Sequence, residues 1–401
     1  MQSSHVDNDP VPGREHFLDG RLAYASASHL APVCQPSPRQ PSWSSVPSPP
    51  LHLADSPWPM TGHDPQRSGR GSLVGPRRGR WLRDLRLPPL ERTITGLTVQ
   101  QDRTLCLVTS HEVLFVRPEG TIVSGALPFP PRRQRLSPAT ALADGRWVST
   151  LGSRVLVWSM AAESVALEQV EVGDVPLDDS CVSPGFSRGH VVLGAITGEV
   201  LTFDGSAVAR VGSGTFGYDV LPPSSLADGA LVIAGYAGRG LCCVDIDGTP
   251  RWRLAGAAVD MMPSIHTAGV VAVGSLNEKR SCLVSTEGER LGTYEEPALW
   301  ADQGTDGWVA WSRLALAGVS LTGALRWRHP WPAEERGSWA QRHPIVDGEG
   351  WAYALHKEGL LAVGPAGDVR FTLRLKSASA MALVAPGELL VATPESLLWI
   401  G

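Results

Sequence analysis

Three aspartates carry the clearest chemical spacing in this chain. Asp179, Asp219 and Asp260 stand 40 and 41 residues apart, and each precedes a glycine-containing turn by 8 or 9 residues. Carboxylates repeated at one point of a periodic fold form an acidic arc, suited to a cation or to a partner's basic groups. The same residues also suit the capping of backbone donors. Equivalent stretches further along hold Trp300, Asp302, Trp339, Arg342 and His343. These eight residues form the candidate ligand- or partner-binding set, expected around a central funnel.

Other reactive types lack the context their chemistry requires. Gly185-Phe-Ser-Arg-Gly189 has the spacing of a nucleophile elbow, yet it leads into the strand-like run Val191-Val-Leu-Gly194 and not into a helix. Asp245-Ile-Asp247-Gly248 resembles part of a calcium loop without the downstream bidentate glutamate. His63, His329, His343 and His356 show no ligand spacing, and a Gly-Lys phosphate loop is absent. The six cysteines (34, 106, 181, 242, 243 and 282) fall mostly in strand-like runs, where the thiol behaves as a small buried hydrophobe. No catalytic residue, metal site or cofactor site is assigned.

The elements that position these residues repeat about every 40 positions. Turns at Asp144-Gly145, Arg188-Gly189, Asp228-Gly229, Ala268-Gly269, Asp306-Gly307, Asp347-Gly348 and Pro386-Gly387 each precede an alternating strand. A second turn follows at Gly120, Gly205, Gly248, Gly288, Gly323 and Gly367, with Trp252, Trp327 or Phe371 four residues beyond three of these. Aromatics at one fixed point of successive sheets fill the wedge between radial blades. Seven full units begin near Thr98, Ser137, Asp179, Tyr218, Asp260, Trp300 and Arg342, and an eighth lacks its outer strand. The orphan strand Gly79-Arg-Trp-Leu-Arg-Asp-Leu-Arg-Leu87 is similar to the outer strand Pro250-Arg-Trp-Arg-Leu254 and completes the last sheet. The expectation is an all-β, eight-bladed β-propeller at 79–401, closed by an N-terminal strand that removes the open edge.

Composition agrees with a turn-rich fold: 43 glycines and 33 prolines, with 43% hydrophobic residues. Residues 1–57 are expected to be a disordered tail, because eight prolines interleaved with serine between 36 and 59 offer little to bury. Residues 58–78 form a leader. Neither an export signal nor a membrane span is visible, and reduced thiols favour the cytoplasm; a longer natural N-terminus would reopen a periplasmic or secreted location. Net charge is -5, and lysine occurs only at 279, 357 and 376 among 35 basic residues. The arginine cluster at 67–92 lacks an aromatic platform, so nucleic acid is not the expected partner. A protein partner is expected, for a monomer or a member of a hetero-complex.

The leader Trp58-Pro-Met-Thr-Gly-His-Asp-Pro-Gln-Arg-Ser-Gly-Arg70 resembles the segment ahead of pyrroloquinoline-quinone-like (PQQ-like) repeat propellers. The phrase Leu241-Cys-Cys-Val-Asp-Ile-Asp-Gly-Thr-Pro-Arg-Trp252 is similar to that family's repeat. The resemblance covers residues 58–401 and implies the propeller fold. The family includes quinoprotein dehydrogenases, outer-membrane assembly lipoproteins and cofactor-free binding proteins. Quinoprotein dehydrogenases often join two adjacent cysteines beside the quinone, but Cys242 and Cys243 sit mid-strand, where successive side chains face opposite ways. The long loops and ligand set of those enzymes are not recognisable here. The expected function is therefore non-enzymatic binding or scaffolding at the funnel face. The alternatives are a PQQ- or metal-dependent oxidoreductase and an envelope assembly factor.

Overall fold

The computed structural model describes residues 50–401 apart from 91–93, 110, 126, 128–134, 162–163, 178–181, 213–215, 217, 237–239, 255–258, 260 and 332–342. Its strands form eight separate antiparallel sheets, seven of four strands and one of five. Blade five is typical: inner strand Ser264–His266, then Val270–Ser275, Arg280–Ser285 and the outer strand Arg290–Tyr294. Each inner strand runs toward one end of the ring, here called the turn face, where the first and third hairpins lie. The chain passes between blades at the opposite, crossover face. In the last sheet Trp81–Arg86 lies antiparallel to Ser396–Ile400, with Trp81 opposite Ile400 and Arg86 opposite Ser396. First and last strands thus share one blade, and the ring has no gap.

Tight reversals between strands demand a left-handed residue, and glycine supplies it at least steric cost. The third-hairpin glycines Gly120, Gly205, Gly248, Gly288, Gly323 and Gly367 all lie between φ +89° and +102°. Blade seven departs from the expected register. Its first turn closes where Gly350 N–H donates to the Asp347 carbonyl at 3.0 Å, two residues beyond Gly348.

The core is divided among the seams between blades. Blades one and two share Phe115, Trp147 and Trp158; blades four and five share Val232, Cys243, Val271 and Val284. Apart from Thr95, the inner-strand residues whose burial is described are buried, whereas outer strands alternate, as in Val165–Glu171 and Leu325–Pro330. Two tryptophans dock each blade on the next in the same way. Trp252 Nε1–H donates to the Thr286 carbonyl at 2.6 Å, and Trp327 Nε1–H donates to the Pro365 carbonyl at 3.0 Å. Each indole covers the turn glycine of the following blade, so that a Cβ added to Gly288 or Gly367 would lie 2.7 Å from the ring. Phe371 stands against Gly79 in the same manner, which extends the arrangement to the closing strand.

Residues 50–57, expected from composition to belong to a disordered tail, pack against the ring. Leu51 and Ala54 are buried, and Leu51 and Ala54 N–H groups donate to the Gly189 and Ala141 carbonyls at 3.0 and 3.1 Å. Apolar contact with blades two and three compensates the ordering of 50–57. Residues 1–49 lie outside the described part.

Candidate functional site

An inner strand is an edge strand, and its free N–H groups face the axis of the ring. Here the leader satisfies them in blade order. The N–H groups of Val99, Ala141, Ser225, Ile265, Asp302 and Val346 donate to the carbonyls of Trp58, Pro59, Pro65, Gln66, Ser68 and Gly69, at 2.7–2.9 Å; in blade eight the first-turn Gly387 N–H donates to the Val74 carbonyl at 2.7 Å. Blade three joins through Thr61 N–H, which donates to Ser183 Oγ at 2.9 Å. Residues 58–74 therefore touch all eight blades in succession and lace the ring from inside. Arg67 anchors this belt: its guanidinium is buried and donates to the Thr61 and Ser183 carbonyls at 3.0 and 2.7 Å. Gly69 is required by close approach, since a Cβ there would lie 2.8 Å from both Ala301 and His343.

The leader takes up part of the axis. Among the described residues, the cavity between it and blades one, seven and eight, bounded by Trp58, Thr61, Thr95, His343 and Met381, is about 40 Å³, room for ordered water and not for an organic ligand. Trp300 does not line a ligand face; it is fully buried, edge-on to Tyr294 and Trp308 with centroids at 5.6 and 5.7 Å. Asp302 is fully buried as well. Its Oδ2 accepts from Thr267 N–H and Oγ1–H at 2.9 and 2.8 Å, and its Oδ1 accepts from Gly304 N–H at 2.5 Å. His266 Nε2 lies 3.0 Å from the same Oδ1, while His266 Nδ1 accepts the Ala268 N–H at 2.9 Å. These contacts assign the proton to Nε2 of a neutral imidazole. With its own N–H on the Ser68 carbonyl, Asp302 is a clamp between blade six and the leader.

His343 is buried beside the axial cavity, with Nδ1–H donating to the Pro344 carbonyl at 3.0 Å. Burial, reinforced by Arg67, lowers its pKa from 6.5 to about 4. The unfolded chain therefore takes up a proton near pH 6.5 that the folded chain refuses until about pH 4. Stability attributable to this group is full above the higher value and is lost as pH falls through the window. The expected loss is about 3 kcal/mol between pH 7 and pH 4. Urea denaturation of His343→Gln should show that part of the acid sensitivity removed; an unchanged pH slope would contradict it.

Asp179, Asp260, Trp339 and Arg342 lie outside the described residues. Asp219 belongs to the strand Tyr218–Val220 at the crossover end of blade four. Ser187, of the elbow-like motif, is a buried strand residue whose Oγ–H donates to the Gly229 carbonyl at 2.7 Å. Cys242 and Cys243 are both free; Cys243 enters the seam between blades four and five, and Cys242 packs on the seam between three and four. Burial pushes their thiols up to about 11 and about 12.

The roomy concavities lie off-axis on the turn face. One cleft of about 510 Å³ between blades four and five is lined by Asp64, Asp228, Arg251, Thr267 and Glu287. Its neighbour, about 530 Å³ between blades three and four, is walled by Leu51, His52, Leu53, Phe186 and Arg188. Gln66, Leu226, Ala227 and Asp228 line both, so the two form one channel bordered by the leader. Arg251 bridges Asp228 and Asp245, reaching the Asp245 carboxylate at 2.8 Å, and hydrogen bonds from Arg251 hold the Asp228 carboxyl below its usual range. Thr286 lowers the Glu287 pKa in the same direction by hydrogen bonding. Arg188 is spent on the Asp228 carbonyl, at 2.9 and 2.6 Å. The carboxyl groups of Asp64, Asp228 and Glu287 outnumber the one guanidinium, Arg251, in the lining of the cleft between blades four and five. Sequence spacing pointed to the crossover face because the recurring acids precede the turns; the turn-face acids come from unlike positions in the leader and two blades.

No family model matches the chain, and no curated protein matches it. Among solved structures it is similar to the computationally designed Ika8 protein, at 12% identity and a TM-score of 0.57, over 80% of this chain and 99% of that one. It is also similar to BamB from Moraxella catarrhalis, at 14% identity and a TM-score of 0.53, over 80% and 97% of the two chains. The likeness shows the fold alone. Both support a β-propeller, and no helix among the described residues is long and apolar enough to cross a membrane.

Proposed function

We propose that this chain is a PQQ-like repeat propeller acting as a cytoplasmic, non-enzymatic binding module, whose turn face receives a basic segment of a protein partner. The docking of Trp252 and Trp327 over turn glycines supports the PQQ-like reading, because it gives the repeat tryptophans of the sequence resemblance a shared geometric role. The observation that carries the binding role is the carboxylate-rich cleft between blades four and five, continuous with the apolar-walled cleft between blades three and four, on the face bordered by the leader. Its mixture of carboxylates and apolar wall suits a polypeptide segment with arginine or lysine among apolar residues. The non-enzymatic reading draws support from the buried thiols and imidazoles, which burial holds in their protonated-thiol and neutral-imidazole forms.

Charge reversal at exposed Glu287 tests the assignment. Glu287→Lys should weaken the natural partner's binding by about tenfold or more without moving the melting temperature. The triple Asn variant of Asp179, Asp219 and Asp260 should bind normally. The opposite pattern would return the site to the crossover face. Titration with PQQ and calcium separates the oxidoreductase alternative: quinone absorbance retained through gel filtration would overturn the non-enzymatic reading.

A further inference from the structure

Blade one breaks the turn rule. Its first turn closes with Arg103 N–H donating to the Gln100 carbonyl at 2.9 Å, as Gly145, Gly229 and Gly350 close theirs in blades two, four and seven. Yet Arg103 adopts φ +67°, a conformation in which a Cβ is sterically costly and glycine is favoured. The side chain so retained is exposed and has no acidic partner among the described residues.

Arg103 borders a turn-face groove of about 420 Å³ at the closing seam, between blade eight and blade one, shared with Leu82, Arg83, Arg117, Glu388 and Trp399. Arg83 is held with its guanidinium 3.9 Å over the Trp399 ring, an arrangement that leaves the edges of the fork available. Arg117 is fixed by donation to the Ala161 carbonyl at 2.7 Å. The two guanidiniums of Arg103 and Arg83 offer one fork to each end of a dianion. Planar forks match carboxylate oxygens in pairs, and Leu82 with Trp399 offers apolar surface for a short carbon chain. Glu388 opposes a longer polyanion such as nucleic acid.

We propose that this groove binds a small organic dicarboxylate, with Arg103 and Arg83 as its principal anion contacts. Calorimetric titration of the full chain with succinate in low-salt buffer tests it, beside the variants Arg103→Gly and Arg83→Ala. Succinate should bind saturably to the unmodified chain and about tenfold or more weakly to each variant. The melting temperature of unliganded Arg103→Gly should equal or exceed that of the parent, because glycine accepts the turn without strain. Failure of succinate to saturate, or undiminished binding by Arg103→Gly, would overturn the proposal. So would saturation by inorganic phosphate or by a thymidine oligonucleotide where succinate does not bind.

Discussion

A chain beginning at Gly79 is expected to lose on the order of 5 kcal/mol or more of stability, read as a lower urea midpoint, although it keeps every strand of the eight blades. Leu51, Trp58 and Met60 are 6%, 3% and 0% exposed, and burial of each contributes about 1.5–3 kcal/mol. Removing the leader also strips carbonyl partners from six inner-strand N–H groups and from the Gly387 N–H of the blade-eight turn, although water entering the opened axis would satisfy part of these. The deletion should leave the closing strand Trp81–Arg86 in place, so ring closure and lacing are separable. An unchanged midpoint would show that the leader is a passenger on a self-sufficient ring.

Replacement of Asp302 by alanine is expected to cost about 3–5 kcal/mol, the range for removing one partner of a buried charged network. Thr267 N–H, Thr267 Oγ1–H and Gly304 N–H would lose their acceptor, and the buried His266 would lose the carboxylate beside its Nε2–H. Asp302→Asn keeps one acceptor oxygen and should cost less. Equal stability of Asp302→Ala and the parent in urea would contradict the clamp, and would allow Asp302 the binding role its spacing suggested.

Much of this architecture is legible in the chain because its signals are local. A glycine near φ +90° must appear wherever a third hairpin reverses, and the orphan strand at Trp81 repeats the residues of another outer strand. Blade one's turn is hidden for the same reason, since Arg103 stands where the period predicts glycine. Blade seven is displaced because Asp347-Gly-Glu-Gly350 offers two glycines and only the second closes the turn. The lacing is harder to see, because its bonds join backbone groups from 41 (Val99 to Trp58) to 313 (Gly387 to Val74) residues apart and backbone acceptors leave no side-chain signature. Trp300 and Asp302 fall on an inner strand, Asp302 at its turn-face end, but no local pattern tells whether the axis beside that strand is filled. The acidic cleft is likewise assembled from Asp64, Asp228 and Glu287, which share no repeat position.

The distribution of lysine allows a direct test of which face binds. Lys279 lies in the second hairpin of blade five, Lys357 in that of blade seven, and Lys376 just beyond the outer strand Val369–Arg374, so all three mark the crossover face. Asp228 and Glu287 mark the turn face. Footprinting by mass spectrometry, with amine- and carboxyl-directed labels applied to the free protein and to its natural complex, reads both faces in one experiment. The turn-face assignment predicts unchanged labelling of Lys279, Lys357 and Lys376 together with protection of Asp228 and Glu287 on partner binding. Protection of the lysines with Asp228 and Glu287 still fully labelled would contradict it.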